Sequence, residues 1–277
     1  MDLEEEVVLG GSAVAVRAVA GQAAVGSRSE NAMIPEDKIK QFVEKMRAAA
    51  GANLESVILY GSAASGDYNP AFSNVNLFCV LRDTSYAKLR SVASVVQWWD
   101  RQKQPPPLFM TREELERSTD VFTIEFVDMV RHHRVLWGDD VIGNLQIPMR
   151  LHRLQVEYEL REKLILLRQH LLLAGDNERR MRELMVRSVA SFATLFRHAL
   201  IALGESAPAA RRDAVAQLAS RVGFDRSAVD QVLDARENKA KLKKFTAGEI
   251  LSAYLVAVEK VISAVDRIAE PDIPGHS

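Results

Sequence analysis

The chain has 277 residues, 48% of them hydrophobic, and its 36 Lys and Arg against 37 Asp and Glu leave a formal net charge of -1. That apolar content can build a sizeable core, which excludes wholesale disorder, and at roughly 150 residues per domain the length suggests two domains. Near-neutrality excludes a nucleic-acid binder working mainly through bulk positive charge. The lone Cys79 excludes a disulfide framework and a multi-cysteine zinc site.

No continuous apolar run approaches the roughly 20 residues that span a bilayer, so no membrane partner is expected. Sparse cysteine suits a reducing, cytoplasmic setting. Residues 1–33 open with Glu4, Glu5 and Glu6 and continue through an Ala/Val/Gly-rich stretch, which reads as a mobile tail. The acidic start is wrong for a secretory signal, and Met33 is an alternative start of the organised chain.

From Pro35, Ile39, Phe42, Val43 and Met46 recur at helical spacing up to Gly51. Val57 to Tyr60 is a short buried strand that stops at Gly61, and Val75 to Leu81 is a second one. Leu89, Val92, Ala93 and Val96 mark a helix, and Pro105, Pro106 and Pro107 stop it. Thr111 and Glu114 form a capping box. Phe122, Ile124 and Phe126 alternate with Thr123, Glu125 and Val127, which predicts a third strand with Asp128 on the face opposite Glu125.

Beyond Pro148 the pattern is helical throughout. Leu151, Leu154, Tyr158, Ile165 and Leu172 form one apolar side of a long helix, widened by Leu160, Leu164, Leu167 and Leu171. A second helix carries Met181 to Ala199, a third follows Pro208, Asp225 can cap a fourth, and a Thr246/Glu249 box opens the last. The expected fold is α+β over 34–147, a mixed sheet with flanking helices, followed by an all-α helical bundle over 148–270 and a tail at 271–277.

Chemistry concentrates where the first strand runs into Gly61 and Ser62, with Gly66 and Asp67 following and Ser73, Asn74 and Asn76 at the next strand. A glycine lets backbone approach a ligand, and a serine hydroxyl can donate to a phosphate oxygen. Asn74 and Asn76 are two apart, so they share one strand face. This ordered set resembles the signature of the DNA polymerase β-type nucleotidyltransferases, including the kanamycin and streptomycin enzymes and the small prokaryotic members. Gly61, Ser62, Gly66 and Ser73 match the nucleotide-binding positions, and Glu125 matches the third carboxylate, a candidate base.

In that family an Asp-x-Asp pair holds two magnesium ions against the nucleotide phosphates. Here Asn74 and Asn76 stand at those metal positions, which carry carbonyl oxygens but no charge. The resemblance therefore implies a degenerate nucleotidyltransferase, a pseudoenzyme candidate that keeps a nucleotide-binding or regulatory role. The alternative is an active enzyme using Mg2+ and an NTP to place an NMP on a small-molecule or protein hydroxyl. Homodimerisation or a helical protein partner follows from the habits of the small relatives.

Other residues have plainer readings. His132 and His133 point opposite ways in a strand, Trp98 and Trp99 are core aromatics, and Asp67 is a remote substitute metal ligand. Arg179, Arg180, Arg182 and Arg187 form a polar helix face. Arg236, Lys239, Lys241, Lys243 and Lys244 read as a solvated connector.

Overall fold

The computed structural model describes residues 34–66, 68, 73–237 and 247–268. The expected tails, Asp67, the lysines at 239–244 and the Thr246 cap lie outside these residues. The chain divides into two compact units, Met1–Met149 and Arg150–Ser277.

In the first unit, helix α1 (Glu36–Ala50) starts after Pro35, with Glu36 and Asp37 in its first turn, where the helix dipole favours acids. It buries Ile39, Phe42 and Met46, one stripe at spacings of three and four. Strands β1 (Leu54–Tyr60) and β2 (Asn76–Leu81) are buried along nearly their whole length. They belong to a four-stranded mixed sheet of order β3-β2-β1-β4. β1 pairs antiparallel with β2 and β4 (His133–Gly138), and β2 pairs parallel with β3 (Leu108–Thr111).

Burial on both faces explains why β1 and β2 read as continuous apolar runs. One face, with Val57, Leu59, Leu77 and Cys79, packs against α1 and helix α3 (Tyr86–Asp100), including Val92 and Trp99. The other, with Ile58, Tyr60, Phe78 and Val80, meets Leu115 of helix α4 (Arg112–Arg117) and the aromatic side of helix α5 (Thr123–Arg131). The Thr111/Glu114 capping box of α4 forms in both directions.

Two expectations fail here. Residues 123–131 are helical, so the alternation of Phe122, Ile124 and Phe126 does not mark a strand. The same residues also obey helical spacing: Phe122 and Phe126 make an edge contact at 6.4 Å, and Phe126 and Met129 both enter the core. Asp128 consequently lies one turn beyond Glu125 on the same side of the helix, not opposite it. The sheet is completed by β3 and β4 instead. Neither was expected, since β3 has four residues squeezed after three prolines and β4 mixes His133 and Arg134 with apolar positions.

The second unit is helical: α6 (His152–Ala174), α7 (Glu178–Ala202), α8 (Arg211–Val222), α9 (Ser227–Arg236) and α10 (Ala247–Asp266). Helix α7 packs against all four others. Its Phe192 meets Tyr254 of α10 edge-on at 5.7 Å, and Ser188 hydrogen-bonds the Tyr254 hydroxyl at 3.2 Å. α7 is long and apolar enough to cross a membrane, but 67% of its apolar window is buried inside the protein. Asn177 accepts the Arg180 amide at the start of α7, and Asp225 accepts the Ser227 amide before α9.

The long helix turns the expected stripe outward. Val156, Leu160, Leu164 and Leu167 are buried, whereas Leu151, Leu154, Tyr158, Ile165 and Leu172 are exposed. Apolar residues surround the helix, so periodicity alone could not choose its core face. Arg236 also departs from the solvated-connector reading. It donates to the Val186 carbonyl at 2.8 Å, and burial pushes its guanidinium down to about 10.

Candidate functional site

The site is built where β1 ends. Tyr60 is the last strand residue, and Gly61 follows with φ 73 and ψ -153, a region essentially restricted to glycine. The Gly61 carbonyl accepts the Ala64 and Ser65 amides at 2.9 and 3.1 Å, which starts the short helix α2 (Ser62–Ser65). Gly66, left-handed at φ 83, closes that turn. The amides of Ser62 and Ala63, at the start of this turn, have no carbonyl within it to donate to.

Gly61 has a second reason to be glycine. A Cβ there would lie 2.7 Å from Nδ2 of Asn76. The backbone of the Gly-Ser corner therefore rests directly on the side chain of the residue that opens β2. Asn76 is itself the Cα partner of Tyr60 in the antiparallel ladder, so the two side chains share the face occupied by Phe78 and Ile58.

Both are buried, Tyr60 at 7% exposure and Asn76 at 9%. Among the described residues neither the Tyr60 hydroxyl nor Oδ1 of Asn76 finds a hydrogen-bond partner. An orphaned buried polar atom costs about 1–3 kcal/mol, and these two lie on the same rung of the β1–β2 ladder. Burial pushes the Tyr60 hydroxyl well above its ordinary value, and the charge of Glu125 raises it further. That places Glu125 within electrostatic reach of Tyr60. Glu125 reaches this face from the first turn of α5 rather than from a strand.

The other anticipated residues are distributed around this corner. Ser73 and Asn74 precede β2, and the next amide, that of Val75, donates to Oε1 of Gln104 at 2.8 Å. On the far side of β2, strand β3 offers Leu108 and Met110 to the face that carries Tyr60 and Phe78. Neither is a carboxylate. Among the described residues no three His, Cys, Asp or Glu side chains gather as a metal-binding group.

The aromatic and histidine pairs have structural work elsewhere. Trp99 packs at 5.1 Å from Phe42 and Trp98 at 6.1 Å from Trp99, on the opposite face of the sheet from Tyr60. Lys45 lies over the Trp98 ring at 5.3 Å. His132 ends α5 and His133 opens β4. The His133 ring bridges the Met129 carbonyl at 2.8 Å and Asp140 Oδ1 at 3.0 Å. Tyr60 is the residue that sequence reasoning passed over. Its signal was there: a polar-tipped aromatic ending a buried strand beside the glycine.

Residues 37–130 match the family model described as a nucleotidyltransferase domain. The match spans about one third of the chain. Among solved structures the chain is similar to the spectinomycin adenyltransferase of Enterococcus faecialis, solved with ATP and spectinomycin. The identity is 12% and the TM-score 0.52, covering 84% of this chain and 99% of that one. At that identity the likeness shows the fold alone. No curated protein matches the sequence. The matched residues run from α1 to α5 and include Gly61, Asn76 and Glu125.

Proposed function

We propose that this nucleotidyltransferase-fold protein docks a nucleotide at the Gly61 corner without efficient magnesium-dependent transfer, and so acts as a binding or regulatory module. The observation that carries this reading is the contact between Gly61 and Asn76, a neutral amide where the superfamily uses a carboxylate. Magnesium dehydrates reluctantly and is held by carboxylates beside substrate phosphates. Two amides and a β3 without acids do not fit a two-metal clamp, whose function is to neutralise the developing charge. If the missing charges cost several kcal/mol, transfer slows by a thousandfold or more at about 1.4 kcal/mol per tenfold.

Nucleotide docking rests on different groups. Gly61 lets backbone approach a phosphate closely, the amides of Ser62 and Ala63 have no carbonyl within the turn to donate to, and the Ser62 hydroxyl can donate. The orphaned oxygens of Tyr60 and Asn76 supply a donor and an acceptor for a bound group.

A second reading, an active transferase moving an NMP from an NTP, is favoured by one retained carboxylate, Glu125, beside Tyr60. The similar adenyltransferase was solved with ATP and spectinomycin, so a small-molecule hydroxyl is the acceptor class to try first. The two readings separate in one experiment. Melting of the wild-type chain is followed with ATP alone and with ATP and magnesium, and label transfer from ATP is assayed in parallel. A melting shift without transfer supports docking; transfer to any acceptor supports the enzyme.

A further inference from the structure

The exposed side of α6 is apolar in a regular way. Leu151, Tyr158, Ile165 and Leu172 recur every seven residues, with Leu154 beside the first pair and Leu173 beside the last. Their exposures run from 39% to 82%, on a helix whose opposite face already holds the core of the unit. At about 200 Å² per large side chain, roughly 700 Å² of apolar surface lies open along one helix. That exceeds the largest patch on a typical monomer, about 300–600 Å², and approaches the roughly 800 Å² that each partner of a standard interface buries.

Two positions inside the stripe are arginines, yet neither breaks it. Arg161 turns aside to Asp266 of α10 at 3.1 Å and to Glu157 at 2.8 Å, and Arg168 turns to Glu259 of α10 at 2.7 Å. The ion pairs form a polar rim beside an apolar centre, the anatomy of an association surface. The stripe also has its own midpoint. Leu151 and Leu172, and likewise Tyr158 and Ile165, are equidistant from the Arg161–Glu162 bond. Turned end for end about that point, the stripe faces itself, Leu against Leu and Tyr against Ile, with Arg161 of one copy nearest Glu162 of the other.

We propose that the occupant of this face is a second copy of the chain, and that α6 pairs antiparallel with its twin across a twofold axis near Arg161 and Glu162. A seven-residue apolar spacing is the seam of a two-helix coil, and a twofold pairing uses one patch twice. The pairing goes beyond the nucleotide reading and does not depend on it.

Sedimentation of the full chain over a concentration series tests the pairing. The expected species is a dimer, converted to monomer by Ile165→Glu and, independently, by Leu172→Glu, with circular dichroism unchanged and melting equal to that of wild type at concentrations where it too is monomeric. Register is read by cysteine pairing. A mixture of Tyr158→Cys and Ile165→Cys chains should cross-link under oxidation, while each alone should not. A wild-type monomer at all concentrations overturns the proposal. So does a dimer that survives both glutamates, or an Ile165→Glu monomer that melts below wild type when both are compared as monomers, which would place the stripe against another part of the same chain.

Discussion

Tyr60 and Asn76 face each other across the β1–β2 ladder, and each carries a buried oxygen that no described residue satisfies. Sheets rarely tolerate one such atom, and two at the same rung lie next to a glycine that cannot carry a side chain. Removing one of them tests whether the cost is real. Tyr60→Phe keeps the ring and deletes the orphaned hydroxyl, so the ligand-free protein should gain about 1 kcal/mol of stability in urea unfolding. The same variant should lose part of the melting shift produced by ATP, because the donor offered to the ligand is gone.

Gly61→Ala should do the reverse. The backbone conformation is one that side chains rarely adopt, and the new methyl meets the Asn76 amide. A loss of about 1–3 kcal/mol is expected. Combining it with Asn76→Ala removes the collision but not the strain, so the double variant should recover only part of the loss. Full recovery would mean that the backbone at Gly61 carries no strain.

Much of the fold was readable because core stripes are one-sided where they were read correctly. Ile39, Phe42 and Met46 leave a single face to bury, and Val57 to Tyr60 can only be a strand buried on both sides. The failures share a cause. Phe122, Ile124 and Phe126 satisfy period two, but Phe122, Phe126 and Met129 satisfy the helical period equally well, and the core chose the helix. At the site, the order of Gly61, Ser62 and Asn76 was legible as a motif. The contact between Gly61 and Asn76 was not, since it depends on the antiparallel register. The alternation places Glu125 on a strand, whereas it occupies the first turn of α5.

The ambiguity of α6 gives a direct comparison of neighbours. Leu164 is 7% exposed and Ile165 is 54% exposed. Leu164→Ala should cost about 2–5 kcal/mol, and Ile165→Ala, measured at concentrations where the chain is monomeric, under about 0.5 kcal/mol. Equal costs in chemical denaturation would restore the stripe to the core.

Asp140 supplies the pH dependence. Burial alone would raise its carboxyl, but the amides of Gly143 and Ile142 and the His133 ring outweigh it and hold the group below its ordinary 3.8. A carboxyl lowered on folding contributes stability above its unfolded value and loses it as pH falls through the folded one. Melting of the wild type should therefore drop more steeply than that of Asp140→Asn between about pH 5 and pH 2. The side chain is half exposed, so the difference should stay below about 1 kcal/mol. Parallel curves would remove Asp140 from the acid limb.

The neutral amides remain the centre of the account, and calorimetry of ATP binding with and without magnesium bears on them most directly. Wild type should bind ATP with an affinity that magnesium leaves within a factor of about two, while Asn74→Asp with Asn76→Asp should gain tenfold or more when magnesium is added, about 1.4 kcal/mol. A wild-type affinity that rises tenfold with magnesium, accompanied by turnover of ATP, would contradict it.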